Sequence, residues 1–168
     1  MYSIVTGRFN NETLERNYAY RKKKGFTCMY CTPLELSPKI LYNTPVFVIE
    51  MNNSINKIEG IGFIKNKPAT DKYYKVHIDS NTNRYTYIGK YFMERQLIDR
   101  YNPLLVNILD QILFKGKTHS KRGSGLTLIP EKVLNSDVCQ NINIKKEIIQ
   151  IFHFHFTKNS QNNEKCNL

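Results

Sequence analysis

Long apolar runs are missing from this sequence. No stretch of about 18 consecutive apolar residues occurs, which is the length that a transmembrane helix needs. Residues 1–9 also lack the apolar core of a secretory signal peptide. These two absences predict an intracellular protein without a membrane span.

Cysteine is scarce, with four residues in 168. Cys28 and Cys31 form a Cys-x-x-Cys pair, and an intracellular protein rarely keeps structural disulfides, so zinc is the hypothesis to weigh. A structural zinc site normally has four ligands, often as two close pairs. The side chains that could complete such a site are His119, Cys139, His153 and His155. None of these supplies a second pair with the usual spacing, so we expect no cofactor and keep Cys28 and Cys31 as the metal candidates.

Acidic residues are few relative to basic ones. Lys and Arg number 25 against 14 Asp and Glu, which gives a formal net charge of +11. Such an imbalance creates a surface potential that gathers anions, and nucleic-acid backbones are the commonest large anions in a cell. The alternative is that an AT-rich coding sequence enriches lysine and that the charge partly reflects codon usage. The charge favours DNA or RNA as the main partner.

The composition that is present suits one folded domain. Apolar residues make up 40% and aromatic residues 12% of the chain, which is enough for a packed interior although tryptophan is absent. The length lies within the usual range of a single domain. We predict one basic α+β domain over residues 1–156 and a disordered C-terminal tail over the polar residues 157–168.

Local patterns predict the first half of the fold. Residues 2–6 are typical of a short strand, and Asn11 is placed to begin a helix that runs to about Lys24 and ends at Gly25. Residues 46–51 and 58–64 predict a β-hairpin around an Asn-rich turn. The second hairpin strand contains two glycines, which indicate a bulge or the close approach of another backbone or of a ligand.

The second half adds strands and helices. Residues 72–78 and 84–91 predict two further strands joined by a polar loop. Apolar stripes at helical spacing predict helices over 103–114 and 142–156. The expected architecture is therefore a curved, mostly antiparallel sheet or a small β-barrel flanked by about three helices.

The strongest local feature is the segment from Lys115 to Gly125, called the basic loop below. It holds four cations, one histidine, three hydroxyls and three glycines, and it has no acid. Backbone amides, hydroxyls and cations can bind phosphate oxygens together, and glycine lets a phosphate approach the backbone. The spacing does not match a P-loop, which argues against an ATPase. The alternative is a mobile, solvated loop. The phosphate-binding candidates are Lys115, Lys117, Lys121 and Arg122.

A second group of cations follows the first predicted helix. Its members are Arg21, Lys22, Lys23 and Lys24. They suit a phosphate backbone, but they also suit the negative end of the helix dipole. The run is therefore a binding candidate with a structural alternative.

Tyrosines on the last predicted strand form a third candidate surface. Tyr85, Tyr87 and Tyr91 occupy alternate positions, which would place them on one face where they could stack on bases. Arg84 would then meet the backbone. The alternative is that these tyrosines half-bury on the sheet with their hydroxyls in water.

Catalysis has one candidate residue. His119 is followed by Ser120 and Lys121, and histidine titrates near neutral pH while lysine can stabilise developing negative charge. These residues would suit a metal-independent or metal-assisted nuclease, although a histidine in a phosphate-binding loop is more often a simple contact. We lean towards a protein that is not an enzyme.

Four segments together resemble a conserved, uncharacterised protein family of large nucleocytoplasmic DNA viruses. They are residues 48–53, 58–62, 83–85 and 115–125. The resemblance covers most of residues 1–135 and implies a viral protein of the host cytoplasm, the nucleus or the virion. The sheet with its Gly-x-Gly strand is also similar to PUA-like domains, including the EVE and YTH types that read modified bases. Their aromatic cage is usually built with tryptophan, and this chain has none.

The sequence therefore predicts a nucleic-acid-binding domain that holds a phosphate backbone through the basic loop. A nuclease centred on His119 is one alternative. A viral structural or assembly protein, whose charge meets acidic protein or packaged genome, is another. The oligomeric state is left open.

Overall fold

The computed structural model describes residues 2–164, with side chains up to residue 157. The strands are β1 (Ser3–Phe9), β2 (Cys28–Thr32), β3 (Pro45–Asn52), β4 (Lys57–Lys65), β5 (Tyr85–Gly89), β6 (Tyr91–Glu94) and β7 (Thr127–Leu128). The helices are α1 (Asn11–Lys24), α2 (Arg95–Tyr101), α3 (Pro103–Phe114), α4 (Glu131–Leu134) and α5 (Ile144–Glu164). The predicted α+β class is confirmed.

Five strands form one open, mixed sheet in the order β6-β4-β3-β1-β7. β1 and β3 run parallel at its centre, and the other neighbours are antiparallel. β2 and β5 form a separate antiparallel pair. The alternative of a closed β-barrel is wrong, because edge strands β6 and β7 do not pair with each other and β2–β5 makes a ribbon of its own.

The predicted hairpin is formed by β3 and β4. Its register shifts between Glu50 and Met51, so that Glu59 is the extra residue of a bulge. Gly60 lies under the Phe92 ring, and Gly62 lies under the Tyr30 hydroxyl. The predicted bulge is therefore confirmed, and another backbone approaches closely at Gly60, where a Cβ would lie 2.7 Å from the Met93 carbonyl oxygen, whereas the neighbour of Gly62 is a side chain.

The strand expected over residues 72–78 is not formed. These residues follow an irregular path, because β4 already pairs on both edges and β5 pairs with β2. The strand expected over 84–91 divides at Lys90 into β5 and β6, which belong to different sheets. β2, which pairs with β5, had no sequence prediction.

Helix boundaries agree closely with their local signals. Asn10 caps α1 through a capping box with Thr13, and Gly25 ends the helix with φ of 72°. α3 spans the predicted residues, with the Asn102 side chain as its cap. α5 begins two residues later than expected and remains helical to Glu164, through part of the segment expected to be disordered from residue 157. Residues 165–168 lie outside the described residues.

The sheet separates two apolar cores. On one face, Ile4, Phe47 and Ile49 pack with α2, α3 and α5. On the other face, Val5 and Val48 pack with α1, β2 and β5. Alternate residues of β1 and β3 thus bury on opposite faces, as expected for strands covered on both sides. None of the helices in residues 2–164 is long and apolar enough to span a bilayer.

Candidate nucleic-acid interface

The basic loop connects α3 to β7 and is tied to the body of the protein. Arg8 on β1 donates from Nε to the Ser120 carbonyl (2.5 Å) and from Nη1 to the Gly125 carbonyl (3.3 Å). The Asn53 amide donates to the Lys121 carbonyl (3.1 Å). Lys115, Lys117 and Arg122 remain exposed, whereas Lys121 is half-buried. The loop thus has a defined backbone with three of its four cations in solvent.

Positive φ angles shape this loop. They occur at Gly116 (75°), Gly123 (112°) and Gly125 (70°), where residues with a Cβ are strained. A Cβ at Gly125 would also lie 2.3 Å from the Thr32 hydroxyl. The glycines therefore fix the course of the loop, in addition to leaving its backbone accessible.

His119 takes part in the loop's own structure. Its Nδ1 atom accepts a hydrogen bond from the Lys121 backbone N–H (3.3 Å), and the side chain is half-buried. This bond uses one of the two ring nitrogens to close a turn. Only Nε2 is left for a ligand.

A cavity of about 470 Å³ opens beside the end of the basic loop. It lies between α1, the ends of β1 and β2, the segment around residue 78 and Gly123–Leu126. Its polar lining includes Arg8, Thr13, Arg16, His77, Asp79, Thr82 and Ser124. Phe9 and Tyr30 also border the cavity, but they are 9% and 1% exposed and present little aromatic surface to it. The cavity is large enough for a nucleotide-sized ligand.

Two arginines give the cavity a positive wall. Arg8 is held by Ser120, Gly125 and the Thr127 hydroxyl (2.9 Å), and burial lowers its pKa. Arg16 projects from α1 and pairs with Glu12 one helical turn earlier (2.5 Å). Asp79 is the opposing acid in the lining.

His77 is the most informative residue of the cavity. It is 8% exposed, and it lines the cavity together with Arg8 and Arg16. Burial lowers the pKa of His77, the Arg16 charge lowers it further, and Asp79 opposes both effects. The imidazole is therefore neutral at pH 7 and offers one donor and one acceptor.

Asn83 fixes the backbone that carries His77. Its side-chain oxygen accepts from the backbone N–H groups of Val76 (3.1 Å) and His77 (2.9 Å). Its amide donates to the carbonyls of His77 (2.8 Å) and Asp79 (3.1 Å). One buried side chain thus substitutes for the strand pairing that this segment lacks.

Arg21 must be removed from the predicted binding surface. Its guanidinium is buried, donates to Glu50 (3.0 Å) and the Thr27 carbonyl, and stacks on the Tyr18 and Phe92 rings. Glu50 is fully buried and also accepts from the Tyr18 hydroxyl (2.5 Å) and the Tyr30 hydroxyl (2.8 Å). Burial raises the pKa of Glu50, and the Arg21 charge is the largest opposing effect.

The rest of the α1 run is exposed, but it lies away from the cavity. Lys22, Lys23 and Lys24 are all in solvent. At 1.5 Å per residue, the run begins about 9 Å beyond Arg16 along the helix. It remains a basic surface separate from the cavity.

The shared tyrosine face is a wrong prediction. Tyr87 is fully buried, and its hydroxyl oxygen accepts the Leu36 backbone N–H (3.1 Å). Tyr91 lies on the other sheet, beside the Phe63 and Phe156 rings. Tyr85 is half-buried under the exposed Arg84, whose guanidinium lies 5.5 Å from the ring centre. The division at Lys90 separates Tyr91 from Tyr85 and Tyr87, which share a face of β5 that packs into the core.

Cys28 and Cys31 do not face each other. Three positions apart on a strand, they point to opposite faces. Cys28 is buried against the carbonyls of Phe63 and Tyr91, and Cys31 contacts the Thr86 hydroxyl (3.3 Å). Burial raises the pKa of Cys28 to about 12 and that of Cys31 to about 11. Within the described residues, no three His, Cys, Asp or Glu side chains come together as a metal site.

Sequence reasoning missed Arg8, Arg16, His77 and Asn83. The two arginines belong to no cluster, and the histidine stood inside a predicted strand. The one usable signal was the polar run at 79–83, which was interpreted only as the end of a strand. Comparison of the chain with family models, with curated proteins and with solved structures gave no match.

Proposed function

We propose that this chain is a nucleic-acid-binding domain that receives one nucleotide in the cavity at His77 and holds neighbouring phosphates with the basic loop. The observation that carries the proposal is the His77 side chain, which is 8% exposed and lines, together with Arg8 and Arg16, a cavity that borders the loop. A neutral imidazole beside a cavity can donate one hydrogen bond and accept another, which supports a polar ligand there.

The chemistry of the lining suits a nucleotide. A neutral imidazole at position 77 can pair with a base edge as donor or acceptor. Arg8 and Arg16 suit phosphate oxygens, which arginine binds well. The exposed cations of the loop extend that positive surface along a strand.

A PUA-like architecture is part of the proposal. It rests on the resemblance of the Gly-x-Gly strand and on the α+β arrangement with a mixed sheet. The tryptophan cage typical of base-reading members has no equivalent in this chain, so base recognition would depend on His77. A viral origin and an intracellular location belong to the same proposal.

The test is fluorescence-anisotropy titration of single- and double-stranded DNA and RNA over a salt series. Lys117, Lys121 and Arg122 changed together to Ala should weaken binding and lower the slope of log K against log salt by about one per lost phosphate contact. A control variant with the same loss of charge changes Lys39, Lys132 and Lys146 to Ala. Its slope of log K against log salt should stay closer to that of wild type. Absence of binding by the wild type at low salt would refute the proposal.

His77→Ala tests the cavity separately. We expect weaker binding at every salt concentration with an unchanged salt slope, because the neutral imidazole contacts no phosphate charge. His153→Ala, which removes an exposed histidine on α5, is the matched control. Equal affinities for the two variants would remove the cavity from the proposal while leaving the loop in it.

The nuclease alternative is tested on the same samples. His119 keeps Nε2 free within the basic loop, which is the one observation that favours it. Cleavage of nucleic-acid strands on a denaturing gel, if it disappears in His119→Ala, would show that the protein is a nuclease. Binding to a capsid protein with no binding to nucleic acid would instead support the assembly role.

A further inference from the structure

Ile78 projects from the mouth of the cavity into solvent. It is 75% exposed and lines the opening, whereas the preceding residue, His77, is 8% exposed inside it. Exposure of a large aliphatic side chain to water is unfavourable. Because Ile78 lies at the cavity, its exposed side chain is placed to contact a ligand there.

The backbone under Ile78 is fixed on both sides. Asn83 bonds to the backbone N–H of Val76, to both the N–H and C=O of His77, and to the C=O of Asp79. Isoleucine is itself stiff at χ1 because it is branched at Cβ. Ile78 is therefore a stiff, exposed apolar side chain on a segment whose backbone is held in place.

We propose that Ile78 is a wedge that stacks on the base next to the one held in the cavity, and that the preferred ligand is a duplex with a mismatched nucleotide. The inference rests on the proposed function. Proteins that separate neighbouring bases insert apolar side chains at the step that they open. The wedge takes the stacking position that the displaced base leaves, and a mismatched base costs least to displace.

The adjacent polar groups agree with this geometry. His77 would meet the edge of the displaced base while Ile78 meets the face of its neighbour. Asp79 and Thr82 complete the same rim, and the Thr82 hydroxyl donates to Asp79 (2.8 Å), which holds the rim together. His77 and Ile78, two consecutive residues of one fixed segment, would therefore separate the displaced base from the base next to it.

The test uses short DNA duplexes, fully paired or with one mismatch, that carry 2-aminopurine at the mismatched position. Wild type should bind the mismatched duplex more tightly and raise the 2-aminopurine fluorescence, because that base leaves the stack. Ile78→Ala should lose about ten- to a hundredfold in affinity for the mismatched duplex, as expected when an aliphatic side chain buried by the ligand is truncated, and most of the fluorescence rise. Ile78→Leu should retain both in large part.

Leu41→Ala is the matched control, since Leu41 is 73% exposed and lies outside the cavity lining. The basic-loop triple variant should weaken both duplexes by the same factor and preserve the preference for the mismatch. Salt-dependent binding with equal affinities for wild type and Ile78→Ala would overturn the wedge and leave the proposed function standing. Failure of wild type to bind any duplex or single strand would overturn both.

Discussion

The ion pair between Arg21 and Glu50 joins α1 to β3 in the interior. Both side chains are almost completely buried, and the Tyr18 and Tyr30 hydroxyls donate hydrogen bonds to the Glu50 carboxylate. A charge in such a place is tolerated only with its partner. Arg21 therefore serves the stability of the domain.

Removal of this partner should be costly. We expect Arg21→Ala to lower the free energy of unfolding by about 3–5 kcal/mol, because Glu50 would stay buried without a cation. Urea unfolding followed by circular dichroism measures the loss. Lys22→Ala, next in sequence but exposed, should remain within about 0.5 kcal/mol of wild type. Identical midpoints for the two variants would contradict the buried pair.

His77 should make stability depend on pH. Its folded-state pKa is lowered, chiefly by burial, so below about pH 6.5 the unfolded chain binds a proton that the folded chain does not. Stability should therefore fall as pH drops below about 6.5 and level off once the folded-state pKa is passed. Urea midpoints for wild type and His77→Gln over this range measure the effect. The variant should lose this part of the slope, and equal slopes would argue against a buried neutral imidazole.

At the scale of elements, glycine determines how closely the two sheets approach. Gly89 on β5 lies so near β4 that a Cβ would stand 2.0 Å from the Phe63 carbonyl oxygen and 2.6 Å from the Cys28 sulfur. A backbone oxygen cannot rotate away as a side chain can. The contact between ribbon and sheet therefore requires glycine at this position.

Gly89→Ala should separate the two sheets. We expect a loss of about 1–3 kcal/mol or more, as for other overpacked sites, together with a lower Tm in thermal unfolding. Lys90→Ala, at the adjacent exposed position, should leave the Tm near that of wild type. A Gly89→Ala protein as stable as its Lys90→Ala control would mean that the sheets are not in contact there.

The segment around His77 depends on a single side chain. Asn83→Ala removes four hydrogen bonds and should lower stability by roughly 2–6 kcal/mol at about 0.5–1.5 kcal/mol for each bond. Amide hydrogen exchange at Val76 and His77 should become faster than in wild type. Asn83→Asp keeps the acceptor and should protect these two amides better than Asn83→Ala does. Unchanged exchange in Asn83→Ala would show that another group holds the segment.

At the scale of the whole molecule, the net charge of +11 should oppose folding through self-repulsion. Added salt screens that repulsion, so Tm should rise between low and physiological ionic strength. Lys39, Lys132 and Lys146 changed to Glu would each alter the charge by two and bring +11 to +5. That variant should show a flatter dependence of Tm on salt, and a dependence as steep as that of wild type would contradict the argument.

Local signals in the sequence determined several elements of this protein. The caps at Asn10 and Gly25 set the limits of α1, a short apolar run before an Asn-rich turn predicted the β3–β4 hairpin, and an apolar stripe after Pro103 predicted α3. These signals act between residues near in sequence, which is why they could be interpreted without coordinates. The basic loop belongs with them, since its composition alone distinguishes it.

Tertiary structure decided the remainder. Pairing of β2 with β5, and the division of a predicted strand at Lys90, depend on which sheet edges are free, a property that no short segment carries. Arg21 is distinguished from the lysines after it only because Glu50, 29 residues away, is buried beside it. The cavity at His77 likewise exists because α1, β2 and two distant loops meet there. Such contacts arise from long-range packing, so a sequence pattern can name the candidate residues but not say which of them are buried together.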